Sequence, residues 1–437
     1  MNTRRHPIGL VGAYERDNFG DILFLERTNA YLAAHSLPSV ALAPFKDSRE
    51  LLEGGHTSRS ADALRDGSIS ALWTVGGEVG AVPLYAAYRM LDPDVQAENF
   101  SVSRRTVRRR MIREASGLAL TDLAYLPRLS AFPNSWGTPS ILNSVGLSGV
   151  ANLKGEVRAK AEAAIRDADY ISVRERQSAA FLSSVGVAHQ LAPDLVHTLR
   201  IDRPDLATDD VRTDARTAGS VLVQMSAAAL ATQGVGRLAK ALVDCPALSG
   251  KDVRLFVAGL APGHDSLSAY CDVMGIVKRS RARFDISMSD SVTAIEKVEE
   301  IARASLVIGT SLHAMIVSMT FDVPHVGLLL EKVTRYATAW ADPMPTNVSL
   351  LDLNEAVSHA LSLECEVSNS GLANSWAEAA HRSIERAIDV VEVGSAAREV
   401  ALRQERRSSN DVAFQRVVRS PKSLALRMAR SALRPLA

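Results

Sequence analysis

The segment around His313 is the part of the sequence best suited to proton transfer. An apolar run, Leu306-Val307-Ile308, opens onto Gly309-Thr310-Ser311, and His313 follows in the first turn of an apolar helix. A histidine there can exchange a proton near neutral pH, although a single histidine beside an apolar helix is also often a satisfied core residue. Free backbone N–H groups at the start of the helix can receive an anion.

A permanent cation is predicted at the end of a second buried strand. Tyr170-Ile171-Ser172-Val173 delivers Arg174 at its carboxyl end, and the forked donors of arginine suit a carboxylate or a phosphate. Arg174 can equally pair with Glu175 or Asp194 on a surface. Asp194 follows another short apolar run and places a carboxylate at its end.

Two further strands end in turns that carry polar residues and glycines. These residues are Asn18, Gly20 and Asp21 in the first turn and Gly76, Gly77 and Glu78 in the second. The first turn lacks the lysine of a P-loop and the spacing of a dinucleotide fingerprint, so a plain strand-turn-helix junction is the alternative. Paired glycines let a ligand approach the backbone or simply allow a positive φ.

Short runs rich in Val, Ile and Leu alternate with helical patterns from end to end. Such runs are Ile8–Gly12, Ala71–Val75, Tyr170–Val173, Ser220–Met225, Val253–Ala258, Leu306–Ile308 and Val323–Leu328. Continuously apolar strands between amphipathic helices indicate parallel sheets covered on both faces, so the predicted fold class is α/β. Ligands of such folds bind in the crevice at the carboxyl ends of the strands.

The chain of 437 residues is too long for one hydrophobic core. Apolar periodicity disappears in a polar, proline-containing stretch that we assign as a linker. The predicted division is an N-terminal α/β domain over residues 1–201, the linker over 202–219, a C-terminal α/β domain over 220–368 and C-terminal helices over 369–437. Trp376, Ala380, Ile384, Ile388 and Val391 give the last segment its helical spacing.

Composition excludes several classes of protein. Hydrophobic residues make up 47% of the chain and charged residues 23%, as in ordinary globular proteins. The net charge of +1 gives no reason to expect nucleic acid as a partner. Three scattered cysteines suggest neither disulfides nor a zinc site and favour a reducing cytoplasm. We expect no signal peptide and no membrane-spanning helix.

Taken together and in this order, the motifs resemble the polysaccharide pyruvyltransferase family over about residues 8 to 335. The matching elements are Asn18-Phe19-Gly20-Asp21, Gly76-Gly77, Ser172-Val173-Arg174 with Ser178 and Gly186, Pro193-Asp194, Ile308-Gly309-Thr310, Leu312-His313-Ala314, Pro324 and Lys332. The resemblance implies two Rossmann-like, doubly wound domains in a GT-B-like arrangement, with the acceptor side in the first and the donor side in the second.

The resemblance also implies an activity, the transfer of a pyruvyl group from phosphoenolpyruvate to hydroxyls of a cell-surface polysaccharide or its lipid-linked precursor. No cofactor is implied beyond phosphoenolpyruvate as co-substrate, and no metal. We expect catalysis from His313, as general acid, and from Asp21 and Asp194. The reaction also needs a general base for the sugar hydroxyls, and the candidates are Asp21, Glu78 and Asp194. We expect donor binding from Arg174, Gly309, Thr310, Ser311 and Lys332, and acceptor binding from Asn18, Gly20, Gly76, Gly77 and Glu78.

One position departs from the family pattern. The family typically has an arginine immediately before its Leu-His pair, where this sequence has Ser311. Either another cation substitutes, with Lys332, Arg335 and Arg174 as candidates, or the donor is a different activated compound such as a nucleotide sugar. A third alternative is a non-catalytic glycan-binding subunit of the same fold.

Two arginine-rich segments stand out against the nearly neutral total. Six arginines lie between positions 104 and 113, and the tail from Arg416 to Ala437 adds further basic residues among leucines. A helix would spread the first set around most of its circumference, so no stripe is predicted. Either segment can contact the inner face of a membrane peripherally. The alternatives are a solvated helix for the first and packing on the N-terminal domain for the tail. The predicted location is cytoplasmic.

Overall fold

The computed structural model describes residues 6–14, 16–45, 59–60, 64–90, 96–135, 137–261, 263–369 and 371–394, with only the backbone at 59–60, 96–98 and 365–369. Within these ranges the chain forms two parallel sheets separated in sequence. This confirms the predicted α/β class. The basic tail predicted from Arg416 onward lies outside the described residues. No helix in the described part of the chain is long and apolar enough to cross a membrane.

The first sheet has seven strands in the described part of the chain, in the order β3-β2-β1-β4-β5-β6-β7. Their bounds are β1 (Ile8–Val11), β2 (Ser39–Ala43), β3 (Arg59–Ser60), β4 (Ala71–Val75), β5 (Ser140–Val145), β6 (Tyr170–Val173) and β7 (Gln190–Leu191). The associated helices are α1 (Phe19–Ala34), α2 (Leu84–Tyr88), α3 (Gln96–Val102), α4 (Arg105–Ser116), α5 (Gly155–Arg166), α6 (Arg176–Ser184), α7 (Leu199–Asp202) and α8 (Asp209–Ala218). Every residue of β1, β4 and β5 is buried, as strands covered on both faces require.

The second sheet has the order β10-β9-β8-β11-β12. Its strands are β8 (Val221–Gln224), β9 (Asp252–Leu255), β10 (Asp285–Met288), β11 (Leu306–Gly309) and β12 (His325–Gly327). Its helices are α9 (Ala227–Gln233), α10 (Val235–Val243), α11 (Leu267–Lys278), α12 (Ala294–Ala302), α13 (Leu312–Thr320), α14 (Glu331–Ala339) and α15 (Leu353–Asn369). A further helix, α16, covers residues 372–394.

Strand order reverses once in each sheet, and these two points determine where a ligand can bind. The chain leaves β1 to form β2 on one side and returns to form β4 on the other, and β8 stands in the same relation to β9 and β11. A crevice opens at the carboxyl ends of the two strands that flank each reversal. The turns after β1 and β4 therefore lie at one crevice, and those after β8 and β11 at the other.

The predicted linker, residues 202–219, lies between the last strand of the first sheet and the first strand of the second and is largely helical. It contains α8, whose polar sequence conceals a buried Arg212 that donates to Glu364 at 2.9 Å. The paired charges explain why apolar periodicity is absent there although the segment is ordered.

Helix α16 confirms the predicted helical C-terminal region and packs against the first sheet. Its Trp376, Ala380, Ile384, Ile388 and Val391, which carry the predicted spacing, are all buried. The hydroxyl of Tyr170 on β6 donates to the backbone oxygen of Ser383 at 3.0 Å. One core cluster therefore runs from β1 and α1 through α12, α13 and α14 to α16, so the two sheets share hydrophobic packing.

Candidate active site

His313 occupies the second residue of α13, at the carboxyl end of β11. The turn before it is tight because a Cβ on Gly309 would lie 2.8 Å from the backbone oxygen of Gln224. Thr310 fixes the turn by donating its amide to the side-chain oxygen of Gln224 at 2.9 Å. Ser311 caps the helix by accepting from the amide of Ala314 at 3.3 Å. Among the described residues, no partner engages the amides of Leu312 and His313, so the helix start can receive an anion.

Arg174 lies beside this helix start, held in place by Asp194. Its Nη1 donates to Asp194 Oδ2 at 2.8 Å, and the guanidinium lies 5.7 Å from the ring centroid of Phe24. Asp194 is fully buried, and its other oxygen accepts from the amide of Val196 at 3.0 Å. Burial alone would lower the pKa of Arg174, but the carboxylate of Asp194 outweighs it and the pKa lies above its ordinary value.

Arg174 and His313 meet directly, which joins the two sheets at the site. Nη1 of Arg174 lies 3.4 Å from Nε2 of His313. A guanidinium can only donate, so this contact requires an unprotonated Nε2. Burial, followed by the positive charges of Arg174, Lys332 and His264, holds the pKa of His313 well below its ordinary value. His313 is therefore neutral in the ligand-free protein.

The start of α1 packs directly against His313. Asn18 caps the helix and donates its side-chain amide to Asp21 Oδ2 at 2.6 Å. A Cβ on Gly20 would lie 1.8 Å from Nδ1 of His313, so the imidazole rests on this glycine. A Cβ on Gly77 would lie 3.4 Å from Asp21 Oδ1. The turns after β1 and β4 and the start of α13 are thus brought together.

Gly76 and Glu78 lie on either side of Gly77 and have separate environments. Gly76 has a φ of +50°, and a Cβ there would lie 2.3 Å from the ring of Phe24, the ring on which His313 also packs at 5.0 Å between centroids. Glu78 is exposed and accepts from the amide of Gly149 at 3.1 Å. Partial desolvation, followed by the charge of Glu175, raises the pKa of Glu78. Gly76 therefore shapes the hydrophobic support of the site, and Glu78 lies at an exposed position beside it.

A loop of the second sheet closes the site against α1. The amide of Phe19 donates to the backbone oxygen of Ala258 at 2.8 Å, and the amide of Leu260 donates to Asp17 Oδ2 at 2.9 Å. The loop is anchored by Asp265, which accepts from the amide of Ala258 at 2.6 Å and from Gln224 Nε2 at 2.6 Å. Burial raises the pKa of Asp265 to about 6.

A series of hydrogen bonds from Asp265 through Gln224 to Thr310 therefore connects the starts of helices α1 and α13. One end fixes the loop that receives the amide of Phe19 at the start of α1, and the other end fixes the turn that begins α13. Sequence reasoning did not select Gln224 or Asp265. Neither belongs to a recognised motif. Gln224 can reach Thr310 only because β8 pairs with β11 in the folded protein.

Lys332 and two residues missed by sequence reasoning, Arg16 and His264, complete a basic surface in the cleft. Desolvation and the charge of Arg174 lower the pKa of Lys332, while Asp21 opposes them. Burial, followed by the charges of Arg16 and, more weakly, Lys332, lowers the pKa of His264. Arg16 Nη2 lies 3.5 Å from Asp21 Oδ2. The only sequence signal for these two residues was their position in turns that follow strands.

The substitute cations proposed for the missing arginine have different surroundings. Arg174 is committed to Asp194, whereas Lys332 has no hydrogen bond or ion pair within the part of the chain that the structure describes. Arg335 lies one turn further along α14, and its buried Nε has no hydrogen-bond partner there. Ser311 itself performs a task that arginine cannot, because its hydroxyl caps α13.

Comparison with known proteins confirms the family resemblance over the middle of the chain. The model of the family described as polysaccharide pyruvyl transferase matches residues 115–330. Arg174, Asp194 and His313 lie inside that range, while Asp21 and Lys332 lie outside it. No curated protein matches the sequence.

Among solved structures, the fold is similar to that of UDP-GlcNAc 2-epimerase from Neisseria meningitidis bound to UDP-GlcNAc. The TM-score is 0.51 at 9% identity, and the match covers 88% of this chain and 99% of that one. A UDP-GlcNAc 2-epimerase from Methanocaldococcus jannaschii gives a TM-score of 0.45 at 10% identity, covering 81% and 92%. The first of these likenesses concerns the fold alone, which is of the two-sheet GT-B type.

Proposed function

We propose that this chain, which matches the polysaccharide pyruvyl transferase family over residues 115–330, transfers a pyruvyl group from phosphoenolpyruvate to sugar hydroxyls. The acceptor would be a cell-surface polysaccharide or its lipid-linked precursor. Phosphoenolpyruvate is a cytoplasmic metabolite, so a cytoplasmic location accompanies the proposal. No cofactor enters the reaction besides this co-substrate.

The observation that carries the proposal is the cationic surface around His313. Phosphoenolpyruvate has a carboxylate and a phosphate, and its site needs donors for both. Arg174 and Lys332 both act on His313 electrostatically from different elements, and the free amides at the start of α13 lie beside it. Fixed donors of this kind, assembled before the substrate arrives, stabilise charge at little reorganisation cost.

Donor binding would place a proton on His313. Before binding, Arg174, Lys332 and His264 disfavour the imidazolium. The negative charges of the donor offset those cations and draw Arg174 away from Nε2, so the protonated form becomes more favourable. His313 then has a proton to give to the methylene carbon of the enol, a step for which a general acid contributes roughly 10²–10⁴ in rate.

We assign the general base to Asp21 and a positioning role to Asp194. Asp21 reaches the cleft beside Gly77, and its side chain is 12% exposed. Asp194 is fully buried and uses its oxygens for Arg174 and a backbone amide. A buried carboxylate with those partners orients the guanidinium and does not reach a sugar hydroxyl.

The proposed reaction balances without another reactant. The methylene carbon of phosphoenolpyruvate gains a proton and becomes a methyl group, and a sugar oxygen bonds to the central carbon. A second hydroxyl of the same sugar displaces phosphate from that carbon and closes the ketal. The two sugar hydroxyls lose two protons in all. One of them makes up for the proton that His313 gave to the methylene carbon, and Asp21 passes the other to the released phosphate or to water.

The test is phosphate release from phosphoenolpyruvate with a panel of glycan acceptors, paired with product mass. An acceptor-dependent release, with a product heavier by one pyruvyl ketal, is the expected result. Thermal stabilisation by phosphoenolpyruvate and not by nucleotide sugars would support the donor, since a ligand of the native state raises its stability. The opposite pattern would favour the nucleotide-sugar alternative that Ser311 suggests. Glycan binding with no turnover of any donor would favour a non-catalytic subunit.

A further inference from the structure

Helix α14 of the second sheet holds the backbones of both members of the Arg174–Asp194 pair. The hydroxyl of Tyr336 accepts from the amide of Asp194 at 2.9 Å. The indole Nε1 of Trp340, the residue after α14, donates to the backbone oxygen of Arg174 at 2.9 Å. Arg174 directly follows β6 of the first sheet. These two contacts therefore join the halves of the protein at the residues beside the candidate acid.

The hydroxyl of Tyr336 has a second partner, the buried imidazole of His197. Its oxygen lies 3.0 Å from Nε2 of His197, and Nδ1 of the same imidazole lies 2.9 Å from Oγ1 of Thr320. The hydroxyl of Thr320 in turn donates to the backbone oxygen of Ile316 at 2.7 Å. All three side chains are buried. We call the hydrogen bonds from Thr320 through His197 and Tyr336 to Asp194 the Tyr336 network.

The donor and acceptor roles in the Tyr336 network follow from its two ends. Thr320 donates its only hydroxyl proton to a carbonyl oxygen, so its oxygen accepts from Nδ1 of His197. Burial, followed by the charge of Arg200, lowers the pKa of His197 to about 3, so the imidazole is neutral and its Nε2 accepts from the hydroxyl of Tyr336. The oxygen of Tyr336 accepts from the amide of Asp194. Each buried polar group of the network therefore has a complementary partner.

The Tyr336 network also links the two ends of α13. Thr320 is the last residue of this helix, and His313 is its second. From Thr320 the network leads to Asp194, which pairs with Arg174 at 2.8 Å, and Arg174 lies 3.4 Å from His313. The place of the guanidinium beside the imidazole is therefore set by α13 and α14 together with the strand that delivers Arg174.

We infer that Tyr336 is a positioning residue that keeps the guanidinium of Arg174 against His313. Its hydroxyl holds the backbone of Asp194, and the carboxylate of Asp194 orients the guanidinium. Trp340 restrains the backbone of Arg174 in parallel. The inference rests on the proposed function where donor binding is concerned, whereas the contact between Arg174 and His313 is present without a donor.

The experiment observes the imidazole of His313 in the full-length protein labelled with ¹⁵N histidine. Nuclear magnetic resonance at pH 7 detects its ring nitrogens, and His313→Gln identifies their signals. The test variant is Tyr336→Phe, which keeps the aromatic ring and removes the hydroxyl. The matched control is Tyr170→Phe. Tyr170 lies on β6, the strand that ends beside Arg174, and its hydroxyl also bonds to a backbone group, the oxygen of Ser383.

We expect the Nε2 signal of His313 to change in Tyr336→Phe. In the wild type this nitrogen accepts from Arg174. Without the hydroxyl, the amide of Asp194 loses its acceptor, and the carboxylate and the guanidinium move with it. The signal should therefore shift towards that of an imidazole nitrogen that accepts no hydrogen bond. The Tyr170 control should give the wild-type signal.

Kinetics provide a second measurement that a merely structural role would not change. In Tyr336→Phe the KM for phosphoenolpyruvate should rise, because Arg174 is displaced, and the KM for the acceptor should stay the same. Displacement of such a group lowers kcat/KM by up to about a hundredfold. A smaller fraction of folded protein would instead lower the rate and leave both KM values unchanged, and that result would contradict the positioning role.

An unchanged His313 signal in folded Tyr336→Phe would overturn the inference, whether or not the protein turns over phosphoenolpyruvate. An equal change in the Tyr170 control would do the same, because any loosened contact of β6 would then move the guanidinium. A shifted signal in a protein that turns over no phosphoenolpyruvate would support the inference and count against the proposed function. If Tyr336→Phe does not fold, Trp340→Phe, which removes the hydrogen bond to the backbone of Arg174, decides by the same signal.

Discussion

The imidazole of His313 lies directly against the α-carbon of Gly20, although their helices α13 and α1 follow strands of different sheets. A Cβ on Gly20 would lie 1.8 Å from Nδ1, which no side chain can accommodate. The glycine is therefore required by the histidine that packs on it. This contact couples the start of α1 to the start of α13, and it makes the position of the candidate acid dependent on how the two halves of the protein meet.

Gly20→Ala should displace His313 and abolish transfer. The methyl group must push the ring away from Arg174 or force the two helix starts apart, and we expect both lower stability and at least a hundredfold loss of turnover. Gly236→Ala is the matched control. Gly236 holds the same second position of its helix, α10, and a Cβ there would meet nothing within 4 Å. Full activity of the Gly20 variant would show that the position of the His313 ring against Gly20 is not needed for transfer.

His313→Gln should remove proton uptake on donor binding as well as turnover. In the wild type, binding of phosphoenolpyruvate offsets the charges of Arg174 and Lys332 and raises the pKa of His313. Calorimetric titration in buffers of different ionisation enthalpy measures the protons taken up. The variant should bind the donor with less uptake than the wild type at pH 7 and lose roughly 10²–10⁴ in rate. Identical uptake by both proteins would contradict the assignment of the acid.

Substitutions of Ser311 distinguish two effects: the hydroxyl of Ser311 caps α13, and this position lacks the positive charge of the family arginine. Ser311→Ala should cost about 1 kcal/mol of stability because the amide of Ala314 loses its acceptor, with little effect on donor binding. Ser311→Arg should lose the same cap and yet bind phosphoenolpyruvate more tightly, because a cation is added beside His313. Melting curves with and without the donor measure both effects. Weaker binding by the arginine variant would mean that Lys332 or Arg16 already fills that space.

Asp194→Asn should destabilise the protein and weaken donor binding together. Arg174 would remain buried without its carboxylate, and breaking a buried ion pair costs about 3–5 kcal/mol. The control is Asp205→Asn, which breaks a surface pair with Arg203 whose aspartate side chain is 55% exposed and should change little. Denaturant unfolding and donor titration provide the two measurements. Normal donor affinity in a folded Asp194 variant would remove its positioning role.

His197 should make the protein less stable in mild acid. Its ring is fully buried between Tyr336, 3.0 Å from Nε2, and Thr320, 2.9 Å from Nδ1. Burial, followed by the charge of Arg200, lowers the pKa of His197 to about 3. The unfolded chain takes up this proton near pH 6.5 and the folded protein does not, so stability falls as the pH decreases from about 6.5 towards 3.

The slope from this one group is at most about 1.4 kcal/mol per pH unit. His197→Gln should be less stable at pH 8 but should lose less stability between pH 7 and pH 5 than the wild type. Unfolding in denaturant at the two pH values gives the comparison. Equal losses in both proteins would exclude His197 as the cause.

Much of the secondary structure could be predicted from sequence because buried parallel strands have continuously apolar sequences. The predicted runs at Ile8, Ala71, Tyr170 and Leu306 all begin strands within one residue of the structure. Strand β5 was missed, since its sequence Ser140–Val145 contains Asn143 and two serines. Inside the sheet the side-chain amide of Asn143 donates to the hydroxyl of Ser172 at 3.1 Å, and such pairing cannot be predicted before the strands are known to be neighbours.

Some residues of the candidate site could likewise be predicted from the sequence, and others could not. The types and order of Asn18, Asp21, Arg174 and His313 indicated the family resemblance, because each motif is local and follows a strand. Local sequence could not decide whether Arg174 faces a substrate or pairs with Asp194, and the structure shows the pair. Arg16 and His264 had no motif to mark them, because they become part of the site only through the meeting of two loops.

The sequence by itself determined the α/β class, the strand ends on which functional residues stand, and the neutral Ser311 at the start of α13. Those features depend on short-range periodicity and on residue chemistry. Only the tertiary structure decided that Gly20 and Gly309 are required by close approach and that Asp194 forms its ion pair with Arg174. These depend on which surfaces of the two sheets face each other, and spatial proximity between distant segments is not encoded in any local pattern.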